Sequence, residues 1–107
     1  MSRAERDKGA RFERKVAAIL RAHGLPIDRT ARQSGIRVRG DLTGVPGYYW
    51  SLKDHVTLRM PLWIREADAD ALEGDVPLVV YNLRGRVRAD LDADDLAKLL
   101  DLARLTA

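Results

Sequence analysis

"GDLTGVPGYYWSLKDH", residues 40–55, is the stretch on which the reading of the fold turns. Its aromatic run, "YYWSLK", favours extended backbone, so a strand is expected over 48–53. A shorter strand at about 40–44 precedes it, and "VPG" turns the chain between the two. Side chains alternate along a strand, so Tyr49, Ser51 and Lys53 share one face while Tyr48, Trp50 and Leu52 share the other. A lysine pointing inward from an apolar strand is unfavourable unless it is paired or functional. If the two strands are antiparallel neighbours, Asp41 falls beside Ser51 and Lys53, and an acid and a cation meet at one point.

The rest of the chain is read outward from this hairpin. Upstream, Phe12, Val16, Ile19, Leu20 and His23 fall at helical spacing, and Gly24 followed by Pro26 ends a helix over 9–23. A short polar strand over 26–31 and the basic, glycine-flanked segment "RQSGIRVRG" lead into the hairpin. Downstream, a helix is expected over 60–73, with Pro61 tolerated in its first turn and Gly74 as its stop. "PLVVYNL", 77–83, is the clearest buried strand; "RGR" is a turn, and 86–90 a marginal fifth strand. The last helix starts at "DADD", with Asp92 as N-cap, Asp94 and Asp95 favourable to its dipole, and Leu96, Leu99, Leu100 and Ala103 as its core stripe. The expected order is α-β-β-β-α-β-(β)-α, an α/β fold with a central mixed sheet flanked by helices in a single domain over 1–107.

Composition narrows the chemistry. The apolar fraction is 46% and the charged fraction 33%, the balance of a soluble globular chain. No apolar run approaches the roughly 20 residues of a transmembrane helix, and "MSRAERDKGARFERK" lacks the apolar core of a secretory signal, so a cytoplasmic location is expected. With no cysteine and only His23 and His55, a thiolate or histidine-built zinc site is not expected. A metal would rest mainly on carboxylates, which suits Mg²⁺, or Mn²⁺ in its place. The net charge of +3 hides an asymmetry: residues 1–40 hold 11 Lys and Arg against 4 acids, net +7, and residues 41–107 hold 8 against 12, net −4. A basic half beside an acidic half fits a nucleic-acid binder with a carboxylate site, although an ordinary arginine-rich protein has the same profile. Phosphodiester hydrolysis needs a metal held by acids, an activated water and a cation to balance charge in the transition state. Asp41 and Lys53 are of the right types.

An Asp, a hairpin and x-x-Lys on the next strand, within α-β-β-β-α-β, resemble the PD-(D/E)XK nuclease superfamily and its restriction-endonuclease-like core. Within it, "KGARFERKVAAILRAHGL…RTARQSGIRVRGDLTGVPGYYWSLKD" is most similar to Holliday junction resolvases of the archaeal and phage type. The resemblance covers residues 8 to about 83. By position Glu13 matches the Glu of the first helix, Ser34 the loop Ser, Asp41 the metal-binding Asp and Lys53 the catalytic Lys. Ser51 departs from the pattern, standing where those enzymes carry a Glu. Some restriction endonucleases of the superfamily also carry Ser-x-Lys and take the missing Glu from the helix that follows. Here residues 54–65 separate Lys53 from Glu66, which is the same separation.

The resemblance thus implies a metal-dependent DNA endonuclease, with four-way junctions as the expected substrate. Asp41 and Glu66 would hold Mg²⁺, with the Leu52 carbonyl as a third ligand, Lys53 would position water, and Ser51 would orient water or a metal-bound group. Lys8, Arg11, Arg14, Lys15, Arg29, Arg32, Ser34, Arg37 and Arg39 would meet the DNA backbone, and two symmetric incisions imply a homodimer. Several alternatives stay open. Glu66 can be a solvated helix residue, the acid can have been lost, naturally or by an introduced change, and Asp54 is an adjacent candidate. Glu13 can be a surface ion pair, His55 plain surface, and Tyr48, Tyr49 and Trp50 core. For the whole chain, a nicking, repair or restriction-type nuclease and a catalytically inactive DNA-binding module of the same fold are the rival readings.

Overall fold

The structure, a computed structural model, describes residues 2–30 and 40–106; Arg32, Ser34, Arg37 and Arg39 lie outside the described residues. The first helix, α1, runs Arg3–Ala22 and begins six residues earlier than the apolar periodicity indicates. Ser2 is the reason: its side chain accepts the Glu5 N–H at 3.1 Å, which satisfies one of the orphan donors of the first turn. The added turns are solvent-facing and so leave no trace in the apolar pattern. Phe12, Val16 and Ala17 are buried, with Leu20 half-buried beside them, whereas Ile19 and His23 face solvent. The inward stripe is therefore rotated from the expected one.

Two short strands, β1 (Asp28–Arg29) and β2 (Leu42–Thr43), pair antiparallel as a small sheet of their own. The main sheet has the order β3-β4-β5, from Tyr48–Lys53, Val76–Leu83 and Arg86–Asp90. β3 and β4 are parallel, with Trp50 opposite Leu78 and Lys53 opposite Tyr81, while β4 and β5 are antiparallel. Parallel neighbours need a crossover, and α2 (Met60–Asp70) supplies it.

Alternation assigns the two faces. Trp50, Leu78 and Val80 pack with Phe12, Val16 and Ala17 of α1, and half-buried Leu52 and Val87 join them. On the opposite face Val79 packs with Trp63 and Ala67 of α2, together with half-buried Tyr49 and Tyr81. β4 is covered on both sides, which is why "LVV" reads as an unbroken apolar run. The molecule is thus an α/β protein whose mixed three-stranded sheet lies between two helices. Among the described residues no helix is long and apolar enough to cross a membrane.

Two downstream expectations are corrected. α2 stops at Asp70, with Ala71 already extended at ψ 145, three residues short of the expected end. The chain must turn there so that the Val76 N–H can meet the Gly47 carbonyl at 2.8 Å and enter β4 in register. The last helix, α3 (Ala93–Thr106), starts as expected, the Asp92 carboxylate accepting the Asp94 N–H at 3.0 Å. Its leucine stripe, however, is not core: Leu96 is 43% and Leu100 62% exposed, Ala103 is exposed, and only Leu99 is half-buried. α1 and α2 already occupy both faces of the sheet, so little apolar surface remains for a third helix.

Candidate active site

The site is assembled at the free edge of β3. Gly40, at φ 79, admits the chain there; a side chain at this position would meet the Trp50 carbonyl oxygen at 3.0 Å. Asp41 then docks by its backbone, its N–H donating to the Trp50 carbonyl at 2.8 Å and its own carbonyl accepting the Thr30 N–H at 3.1 Å. The Thr30 hydroxyl donates to the Gly40 carbonyl at 2.8 Å and holds the same bend from the other side. With the backbone fixed at three points, the Asp41 carboxylate lies along the strand edge and accepts the Leu52 N–H at 2.8 Å.

Burial pushes the Asp41 carboxyl above its ordinary value of 3.8, and the Leu52 N–H and the nearby Lys53 charge oppose the rise without cancelling it. Lys53 is close enough for its charge to act on Asp41, but the expected pairing of the two strands is replaced: β2 pairs with β1, and Asp41 meets β3 through the Trp50 carbonyl and the Leu52 N–H. What the structure adds is the donor on Leu52. Along a strand the N–H and C=O of one residue point to the same side. Leu52 donates towards Asp41, so its carbonyl also faces this edge, away from β4.

Ser51, on the opposite face from Leu52, is buried at 9% exposure beneath α2. On α2, Trp63 and Ala67 point into the sheet, and Glu66 is exposed beside them. Ile64 and Asp68 line a groove over β4 and the end of β5. Residues two apart on a helix differ by about 200° in direction, so Glu66 lies on the other flank, over β3. Asp54 is turned away to Asn82, whose side-chain amide donates to its carboxylate at 3.1 Å.

Glu13 pairs with Arg29, Nε to Oε2 at 3.8 Å, and both residues are half-buried. Of the other candidate DNA contacts, Arg11 and Arg14 are exposed, Lys8 is half-buried, and Lys15 donates to the Gly85 carbonyl at 3.3 Å. The aromatic residues of β3 are structural: Trp50 is core, Tyr48 tilts against it with ring centres 6.1 Å apart, and Tyr49 packs under α2. His55 lies over the Trp63 ring at 5.4 Å.

The donor set fits a hard divalent cation in one respect and limits it in another. Asp41 is a desolvated carboxylate with its charge incompletely compensated, beside a backbone carbonyl aimed at the same edge, which suits oxygen-seeking Mg²⁺. Among the described residues no three Asp, Glu or His side chains converge. An ion here would rest on one or two carboxylates, with water and substrate oxygens completing its shell, the usual habit of Mg²⁺. Thr30 is the positioning residue that pattern reading missed; its partner lies ten residues away, and no local signal links them. Compared with known proteins, the chain matches no family model, no curated protein and no solved structure.

Proposed function

We propose that the chain is a Mg²⁺-dependent DNA endonuclease built on a restriction-endonuclease-like core, most similar in function to junction resolvases. The observation that carries this reading is the half-buried Asp41 carboxylate, held on the edge of β3 by the Leu52 N–H and within electrostatic reach of Lys53. Asp41, Glu66 and the Leu52 carbonyl would hold the ion, which when bound polarises a phosphoryl oxygen and makes a nearby water more acidic. Lys53 orients the attacking water and balances charge on the phosphate in the transition state. Ser51, buried under α2, keeps the space between strand and helix small enough for Glu66 to reach this edge. Arg11, Arg14, Lys8 and Lys15 on α1 supply backbone affinity, and a two-fold dimer provides the paired incisions that a four-way junction requires.

The test is cleavage of a labelled four-way junction beside a linear duplex of equal length, in Mg²⁺, in Mn²⁺ and in EDTA. Paired nicks in the junction with either ion, and none in EDTA, support the reading; activity in EDTA sinks the carboxylate-metal mechanism. Equal cutting of both DNAs moves the assignment to a nicking, repair or restriction-type nuclease. The lack of three converging acids among the described residues favours a second reading, a DNA-binding module without catalysis. Binding with no cleavage of either DNA in Mg²⁺ or Mn²⁺ would establish it.

A further inference from the structure

Beyond the end of β3 lies a groove of about 460 Å³, lined by Lys8, Asp54, His55, Asn82, Leu83 and Arg84 among others. It opens one residue past Lys53, at the C-terminal ends of the two parallel strands, a common place for ligands in α/β sheets. Its rim holds two permanent cations, Lys8 and Arg84, and an imidazole, against one carboxylate that Asn82 already engages.

Arg84 is unusual. Leu83 pairs with Arg86, so Arg84 and Gly85 alone form the β4–β5 turn, and both have positive φ, 51 and 83. A two-residue turn of this kind favours Asn-Gly or Asp-Gly, because in the left-handed region the Cβ crowds the following carbonyl and only a short polar side chain offsets this by local hydrogen bonds. Arginine gives no local compensation of the sort that Asn does. The turn is nevertheless secured, by the Asn82 side-chain oxygen accepting the Gly85 N–H at 2.9 Å and by Lys15 donating to the Gly85 carbonyl. Lys8, Arg11 and Lys15 fall on one stripe of α1, and the Lys15 contact fixes that stripe against the hairpin tip. The strained residue thus carries its guanidinium to the end of a row of cations. Strain of this kind clusters at ligand-binding and active sites.

We infer that this groove seats the phosphodiester backbone of the nucleic acid next to the bond being cut, with Arg84 and Lys8 as its phosphate ligands. The inference rests on the nuclease reading for its ligand, and it assigns a role to Arg84 that the strand-end chemistry does not require. Binding of a fluorescein-labelled 20-base-pair duplex is measured in EDTA across a salt series for wild type, Arg84→Asn and Lys8→Gln, together with the melting temperature of each.

Each variant should lower the slope of log K against log salt by about 0.9, equivalent to about eightfold weaker binding at 0.1 M salt. Arg84→Asn should at the same time melt higher, since Asn suits the turn. Unchanged slopes in both variants, or a lower melting temperature for Arg84→Asn with binding intact, would overturn the inference. Binding is read without cleavage, so the two readings fail separately. A protein that binds with the expected slopes but never cuts in Mg²⁺ retains the groove and loses the catalytic assignment. One that cuts, with slopes unmoved by either change, retains catalysis and loses the groove.

Discussion

Asp41 can be tested by two substitutions that should differ in their effect on stability. In Asp41→Ala the Leu52 N–H loses its acceptor and is left unpaired at a half-buried site. An orphaned donor costs about 1–3 kcal/mol; at about 2 kcal/mol, Asp41→Ala should melt roughly 8–16 °C below Asp41→Asn, which also lacks the charge but keeps the acceptor. Asp41→Asn keeps a side-chain oxygen for Leu52 and removes the charge. Burial is the largest influence on that charge and acts against it, outweighing the Leu52 hydrogen bond and Lys53. The Asn variant should therefore melt at or above wild type at pH 7 in EDTA.

The pH dependence has a fixed sign. A carboxyl whose folded pKa is raised contributes stability fully below its ordinary value of 3.8 and loses it as pH rises through the folded value. The advantage of Asn over wild type should accordingly be absent below about pH 3.8 and open as pH rises above it. Melting followed by circular dichroism at several pH values, with both variants, reads all of this. If Ala and Asn are destabilised equally, or the gap between Asn and wild type does not vary with pH, the account of Asp41 as a desolvated charge held by one N–H is wrong.

Two further outcomes follow from the same geometry. At ten times its Kd, Mg²⁺ should stabilise wild type by about 1.4 kcal/mol and Asp41→Asn much less; equal shifts on thermal titration would place the ion elsewhere. Glu66→Gln should abolish junction cleavage with folding intact, and Ser51→Glu combined with Glu66→Ala should restore part of it. Because position 51 is buried, that double variant should also melt lower without Mg²⁺; full activity in Glu66→Gln would show that the acid was not supplied by the helix.

How much of this was legible beforehand depended on the range of the interaction involved. β3 was placed to the residue because aromatic content, alternation and flanking glycines are local properties of 48–53. β4 and the Asp92 cap were legible for the same reason. The closeness of Asp41 to β3 was legible in part from the short connection between them, but the strand before it pairs with β1 rather than with β3. Local pattern could not say what covers a helix: the leucines of α3 have the periodicity of a core stripe, but two helices had already filled the sheet. Nor could it say who holds whom. That Thr30 props the Asp41 bend and that Glu13 pairs with Arg29 depend on contacts between elements far apart in sequence. Residue type and spacing determined which groups are capable of the chemistry. Only packing decided which of them share a solvent-poor edge, because desolvation, as at Asp41, depends on everything that surrounds the group rather than on its neighbours in the chain.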